Sequence, residues 1–169
     1  MAEPTRAIVV MGVSGVGKTT VAEQLAERLG WTFSDADRFH PPANVEKMRS
    51  GTPLTDDDRW PWFRIIAGEI DRHRTIGRGY VTACSALKQA YRAILTEGRG
   101  DVRVVYLKGS RELIMSRLQE RKGHYFPTSL LDSQFATLEE PLTSEYALVV
   151  SIDKPVDSIV DEIVRGLGP

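Results

Sequence analysis

Five short apolar runs alternate along the chain with longer segments in which apolar residues recur with the period of a helix. Short continuous apolar runs are typical of strands that are buried on both faces of a sheet. The runs are AIVVM (7–11), WTFS (31–34), YVTA (80–83), VRVVYL (102–107) and ALVVSI (147–152). The pattern predicts five strands.

The segments between the runs carry the signature of amphipathic helices. Val21, Leu25 and Leu29 form one apolar stripe, which Gly30 ends at a plausible capping position. Similar stripes follow the third and the last run, and another helix is expected to start near Pro61. Strands that alternate with helices favour parallel pairing through right-handed crossovers. We therefore expect a three-layer α/β fold, built as a single domain over residues 1–169.

Composition and charge limit the classes of partner. The 169 residues include 22 basic and 23 acidic side chains, so the net charge of −1 predicts no broad attraction to nucleic acid or to a membrane. One cysteine cannot form an internal disulfide, which favours a reducing compartment. The apolar run near the N-terminus is too short for a signal peptide or a membrane span. We expect a soluble, cytoplasmic protein.

A glycine-rich segment, GVSGVGKTT, separates the first predicted strand from the first predicted helix. Its spacing is that of a loop whose backbone N–H groups wrap the phosphates of a nucleoside triphosphate, with a lysine on the phosphate oxygens and a threonine hydroxyl on Mg²⁺. A chance glycine-rich turn is the alternative, and the flanking strand and helix disfavour it. The expected nucleotide-binding residues are Gly12, Val13, Ser14, Gly15, Val16, Gly17, Lys18, Thr19 and Thr20.

Two carboxylates follow the second predicted strand in the sequence DAD. Regulatory GTPases need an Asp-x-x-Gly switch and an Asn-Lys-x-Asp guanine reader, and the sequence contains neither. In a parallel sheet the carboxyl ends of the strands face the ligand, so Asp35 and Asp37 should enter one cleft beside the phosphates. We expect Asp35 to help hold Mg²⁺ and Asp37 to accept the proton of an attacking hydroxyl. A simple helix-capping turn is the alternative.

Several further blocks identify a family. The segments DADRFHPPANVEKMRSGTPLTDDDRWPW, ACSALKQAYR and YLKGSRELIMSRLQERKGHYFPTSLLDSQFATLEEP closely resemble the bacterial gluconate kinases of the P-loop type. The resemblance runs from Met11 to about Pro141. Ala36 is a departure, because that family commonly has glycine there.

The resemblance implies an activity, a fold and a quaternary state. The expected reaction is transfer of the γ-phosphate of ATP, with Mg²⁺, to the 6-hydroxyl of D-gluconate. The expected fold is a P-loop kinase fold with a parallel five-stranded sheet and a small helical lid around residues 117–138. A homodimer is also implied.

Gluconate is a polyol with a carboxylate, so its pocket should combine cations with hydrogen-bonding groups. The preferred cations are Lys47, Arg59 and Lys88, whereas Arg49 and Arg92 are equally well explained as surface cations. Polar groups in the matching blocks are His40, Asn44, Ser85 and Gln134. For His40 and Asn44, a contact within a local turn is an equally good interpretation.

Arg117 and Arg121 lie one helical turn apart before a segment without clear periodicity. Such a pair resembles the lid of nucleoside-monophosphate-kinase-like enzymes, in which arginines close over the transferring phosphoryl group. A solvated helix face is the alternative. His124 could contact the substrate once such a lid closes.

Three other functions remain open on the sequence. Shikimate kinases share the phosphate loop and the acidic pair, but they typically carry three glycines where this chain has ACSAL. Adenylylsulfate kinases share the same layout without the HPPANVEKM continuation. A nucleotide-dependent sensor would use the loop without transferring phosphate.

Overall fold

The computed structural model describes residues 4–120 and 128–168, and within them five parallel strands form one sheet. The strands are β1 (Ala7–Met11), β2 (Thr32–Asp35), β3 (Tyr80–Ala83), β4 (Val102–Lys108) and β5 (Leu148–Ser151). Their order across the sheet is β2-β3-β1-β4-β5. The predicted five-stranded parallel sheet is confirmed; five of the ten predicted strand ends are shifted by one residue, and the other five match.

Seven helices connect and cover these strands in the described part of the chain. They are α1 (Lys18–Leu29), α2 (Pro42–Arg49), α3 (Asp56–Thr75), α4 (Gln89–Thr96), α5 (Arg111–Gln119), α6 (Thr128–Thr137) and α7 (Val156–Leu167). Two single helical turns, Ala36–Phe39 and Thr143–Glu145, lie between them. None of the helices in the described ranges is long and apolar enough to cross a membrane.

Alternate side chains of β1 enter two separate cores, which makes the fold three-layered. Ile8 and Val10 lie in a core with Leu25 of α1 and Ile163 of α7. Val9, on the other face, belongs to a core with residues of α3 and α4. Every residue of β1 is buried, as expected of a central strand between two helical layers.

The start of α3 differs from the sequence prediction. The helix begins at Asp56, not near Pro61, which lies inside the helix in its second turn. Thr55 and Asp58 form a reciprocal capping box: the Thr55 hydroxyl accepts from the Asp58 N–H at 3.2 Å, and Asp58 Oδ2 accepts from the Thr55 N–H at 2.9 Å. The helix starts early because this box satisfies its first N–H groups.

The sheet brings three functional segments to one edge. Because all strands are parallel, their carboxyl ends lie on the same side, and Asp35 of β2 is in register with Ala83 of β3. β1 continues from Met11 into the glycine-rich loop. That loop, the acidic pair and the segment after β3 therefore converge outside the strand ends, where ligands bind in open α/β sheets.

Candidate active site

A cavity of about 470 Å³ opens at this edge of the sheet. Its walls come from the glycine-rich loop, the acidic pair, the segment after β3, and two helices of the second half of the chain. The residues that line it are Ser14, Gly15, Gly17, Lys18, Thr19, Thr20, Asp35, Asp37, Ala83, Cys84, Ser85, Leu118 and Gln134. The structure thus brings together most of the nucleotide-binding residues expected from the sequence, both carboxylates and two of the expected acceptor-binding residues.

The glycine-rich loop leaves the N-terminus of α1 open to an anion. Gly17 caps the helix with a φ of 92° and no side-chain hydrogen bond, and the first turn of α1 contains no acidic residue. A φ in this range is strained for residues with a side chain. The N–H groups of the first turn are therefore available to phosphate oxygens, and the helix dipole favours negative charge at this point.

The side chain of Lys18 folds back onto the glycine-rich loop. Its Nζ donates to the carbonyl oxygens of Gly12 at 3.0 Å and Val13 at 3.1 Å. Burial lowers the pKa of Lys18, and the nearby Cys84 and the two carboxylates oppose this effect. The side chain is positioned to meet a phosphate that occupies the loop.

Thr19 and Asp35 offer two oxygen ligands at the same end of the cavity. The Thr19 hydroxyl donates to Asp35 Oδ2 at 2.9 Å, while Asp35 Oδ1 accepts from the Asp37 N–H at 2.9 Å. Mg²⁺ prefers a few hard oxygen ligands from protein and completes its shell with water and phosphate. The pair fits that ion, and the described residues hold no cluster of three or more His, Cys, Asp or Glu side chains that would compete for it.

Asp37 lies in the helical turn that follows β2 and lines the same cavity as Lys18. Burial and the neighbouring Asp35 carboxylate raise the pKa of Asp37, and Lys18 partly offsets this shift. A carboxylate with a raised pKa is a stronger base than an ordinary aspartate. The geometry therefore allows Asp37 to accept a proton from a group in the cavity.

Trp62 holds the acidic pair in place, a contact that sequence reasoning missed. Its indole Nε1 donates to the carbonyl oxygen of Ala36, between the two carboxylates, at 2.8 Å. The same ring stacks on His40 with centroids 3.9 Å apart. A tryptophan on the apolar face of a helix gives no sign in the sequence of which carbonyl its N–H reaches.

Lys47 and its neighbours form a polar cluster between α2 and α3, outside the lining of the cavity. Lys47 Nζ pairs with Asp58 Oδ2 at 2.7 Å, and Asn44 Nδ2 donates to the Asp58 carbonyl at 2.9 Å. The hydrogen bonds from Lys47 and from the Thr55 backbone lower the pKa of Asp58 to about 2. Burial and the charge of Arg59 lower the pKa of His40, which lies 3.2 Å from the Asn44 amide.

Asp56 forms ion pairs with the other two expected cations, Lys88 and Arg59. Lys88 Nζ lies 3.2 Å from Asp56 Oδ2, and Arg59 Nη1 lies 3.9 Å from Asp56 Oδ1. The Tyr91 hydroxyl also donates to this carboxylate. Hydrogen bonds from Tyr91 and Lys88 lower the pKa of Asp56. The three preferred cations are thus paired with carboxylates of α3.

Arg92 and Arg49 have different environments, although the sequence left the same two interpretations open for both, a cation of the pocket or a cation of the surface. Arg49 is exposed, beside Glu46. Arg92 is fully buried and pairs with Glu145 at 2.7 Å, which excludes the alternative of a surface cation for it. The sequence contains no signal for this pairing, because Glu145 lies 53 residues away, in the single helical turn between α6 and β5.

Gln134 of α6 contacts the glycine-rich loop directly. Its Oε1 accepts from the Ser14 N–H at 2.6 Å. The half-buried Arg117 lies in the last turn of α5, the helix that α6 contacts through an Arg111–Asp132 ion pair. Arg121 and His124, the other two residues expected in a lid, lie outside the described residues.

Cys84 follows β3 and is buried. Burial raises its pKa to about 12, so the thiol stays protonated and is a poor nucleophile.

Comparison with known proteins places the chain among kinases. It matches the family model described as shikimate kinase over residues 14–167. It is 49% identical to a gluconokinase from Gluconobacter oxydans (strain 621H), over 95% of this chain and 90% of that protein. The crystal structure of a gluconokinase from Sinorhizobium meliloti 1021 is similar with a TM-score of 0.88 and 42% identity, covering 99% of this chain and 93% of that one. A shikimate kinase from Acinetobacter baumannii, solved with shikimate, is similar with a TM-score of 0.58 and 25% identity, covering 96% and 93%.

Proposed function

The chain belongs to the gluconokinase group of the shikimate kinase family, and we propose that it transfers the γ-phosphate of ATP to the 6-hydroxyl of D-gluconate. The products are 6-phospho-D-gluconate and ADP. The observation that carries this proposal is the 49% identity to a gluconokinase over nearly the whole chain, about twice the identity to the shikimate kinase. The segment after β3, which reads ACSAL where shikimate kinases typically carry three glycines, supports the same choice.

The nucleotide end of the cavity has a defined part in this proposal. The loop from Gly12 to Thr20 binds the β- and γ-phosphates through its N–H groups, and Lys18 neutralises the charge that develops on them. Thr19 and Asp35 would hold Mg²⁺, which supplies positive charge between the phosphates when bound. These residues fix the phosphate in line with the acceptor, which is the main requirement for phosphoryl transfer.

Asp37 acts as the base in the proposed reaction. It orients the 6-hydroxyl of gluconate and accepts its proton as the oxygen attacks. Its raised pKa, caused by burial and by Asp35, supports this role. Ser85, in the same cavity, is placed to hydrogen-bond a further hydroxyl.

The polar clusters of α2 and α3 bind the rest of gluconate in this proposal. Lys47, Arg59 and Lys88 provide the positive charge for the carboxylate of gluconate. That carboxylate would share these cations with Asp56 and Asp58, or displace the two aspartates from them. His40 serves a hydroxyl with its neutral ring, since its pKa is lowered.

A lid around residues 117–138 closes the site in the same proposal. Arg117 and Arg121 stabilise the charge of the transferring phosphoryl group, and His124 and Gln134 contact the bound substrates. We also propose that the protein is a homodimer, as the family resemblance implies, and that it is cytoplasmic, which its single cysteine favours.

A coupled assay with ATP and Mg²⁺ tests the function. Gluconate, shikimate and adenylylsulfate are offered separately, and ADP formation is followed. We expect turnover with gluconate alone, and omission of Mg²⁺ should abolish it. Turnover with shikimate or adenylylsulfate instead would refute the acceptor assignment, whereas ATP binding without any turnover would point to a nucleotide-dependent sensor. Light scattering of the same sample measures the oligomeric state.

A further inference from the structure

The segment from Cys84 to Lys88 joins the two parts of the site. Its first residues line the cavity, and its last, Lys88, reaches Asp56 in the neighbouring polar cluster. Within it, Ala86 has a φ of 42°, a left-handed conformation that is uncommon for a residue with a side chain. Such a conformation persists only where the surrounding structure enforces it.

Arg92 holds the segment in this conformation through hydrogen bonds to its backbone. Its Nη1 donates to the carbonyl oxygens of Ala86 at 2.9 Å and Leu87 at 3.1 Å. Its Nε and Nη2 donate to Glu145 at 2.7 and 3.2 Å. The planar guanidinium therefore holds two successive carbonyls on one side and a carboxylate on the other, a geometry that a lysine cannot reproduce.

Glu145 is anchored in turn by the chain that follows α6. Its Oε2 accepts from the Leu142 N–H at 2.8 Å. The same part of the chain makes one more contact with the segment, since the Glu139 N–H donates to the Leu87 carbonyl at 2.8 Å. Glu139 Oε1 also accepts from the N–H of Gln89, the residue that follows the segment, at 2.9 Å. The acceptor side of the cavity is thus fastened to the segment after α6, the helix whose Gln134 contacts the phosphate loop.

A buried ion pair is an expensive way to stabilise a fold, because well-packed apolar residues often do as well. Arg92 is fully buried, and its pair with Glu145 touches no nucleotide-binding residue of the cavity. We propose that Arg92 and Glu145 are positioning residues that set the conformation of residues 84–88 and thereby the affinity for the acceptor substrate. The link to gluconate rests on the function proposed above.

The test replaces both members of the pair, Arg92→Met with Glu145→Gln, because removing one would leave a buried charge without a partner. The amide at position 145 can still accept from Leu142. A matched control is Arg99→Met with Asp71→Asn, since Arg99 also pairs with a carboxylate, at 2.7 Å, and donates to a carbonyl, that of Ile94, at 2.9 Å. That pair lies at the opposite edge of the sheet, near the start of β4.

Two readouts separate this proposal from the proposed function. We expect KM for gluconate to rise about tenfold in the first double variant, with KM for ATP within about twofold of the wild type and neither changed in the control. Hydrogen exchange of residues 84–88 should become faster in the first variant only. Unchanged exchange, or faster exchange with an unchanged gluconate KM, would overturn the positioning role. If the wild type does not phosphorylate gluconate, the proposed function fails, and the exchange measurement alone decides the positioning.

Discussion

At the scale of single residues, the cavity places two carboxylates and a lysine where their charges act on one another. Asp35 is fixed by the Thr19 hydroxyl and the Asp37 N–H. Burial and the adjacent charge of Asp35 raise the pKa of Asp37 above the ordinary value of an aspartate. Two neighbouring carboxylates in different environments can thus serve different roles, one toward a cation and the other toward a proton.

We expect Asp37→Asn to lower kcat by about two to four orders of magnitude, because an amide cannot accept the proton of the attacking hydroxyl. Asp57→Asn, the same change at an exposed position of α3, is the control and should leave kcat unchanged. Steady-state kinetics with gluconate measure both. Near-normal turnover of the Asp37 variant would exclude the role as base.

The same residue gives a signature in stability. A folded-state pKa above the unfolded value means that Asp37 favours folding at low pH, and that this contribution is lost as pH rises through the raised pKa. At neutral pH the Asp37 variant should therefore melt at a higher temperature than the wild type, in contrast to its loss of activity. Thermal melts at neutral and acidic pH check the sign.

At the scale of residues, the sequence predicts which functional residues meet when each follows a strand of the same sheet. It does not predict ion-pair partners that depend on how helices and connecting segments pack. The phosphate loop and the acidic pair could be predicted to meet because each follows a strand of one parallel sheet. The ion pairs of Lys88 with Asp56 and of Arg92 with Glu145 depend on how helices and connecting segments pack against one another, which no local pattern encodes. The roles proposed for the residues of the acceptor pocket stay predictions.

At the scale of elements, α3 shows how a cap can organise a site. The capping box of Thr55 and Asp58 fixes the first turn of the helix, and that turn carries Asp56. Asp58 pairs with Lys47 and Asp56 pairs with Lys88, and both lysines lie outside α3. The helix start therefore determines where the cations of the polar clusters are held.

We expect Thr55→Ala to lower the free energy of unfolding by about 1 kcal/mol, since the Asp58 N–H loses its side-chain acceptor. Thr75→Ala is a matched control at the other end of α3, where the hydroxyl only donates to the Asp71 carbonyl. Chemical denaturation measures both variants. An equal loss in the two would show that the cap contributes nothing specific.

The same helix shows why element boundaries are harder to predict than elements. The apolar stripe after Pro61 gave the existence of α3 and its buried face. Proline at a first helical position is so common that it suggested the start. The capping signal, a threonine followed three residues later by an aspartate, was present in the sequence and is the stronger determinant here.

At the scale of the whole molecule, the fold class followed from the sequence because alternation of strands and helices has few solutions. Parallel pairing, three layers and one sheet all follow from that alternation. The order of the strands was not among the predictions, since the pattern of apolar runs does not say which strands are neighbours. That order places β2 and β3, which lead into the acceptor segments, on one side of β1, and β4 and β5 on the other.

The central position of β1 has a consequence for how the chain folds. β1 is the first strand in sequence, yet its partners come late: Ala7 is in register with Tyr80 on one side and Val102 on the other. The phosphate loop that follows β1 cannot adopt its final conformation until β3 and β4 have paired with β1, and such distant pairings form slowly.

In refolding experiments, binding of a fluorescent ATP analogue should therefore lag behind the recovery of helical circular dichroism. Simultaneous recovery would mean that the loop is ordered by local structure alone. We therefore expect nucleotide binding to be a late event of folding, available only to chains that have completed the sheet.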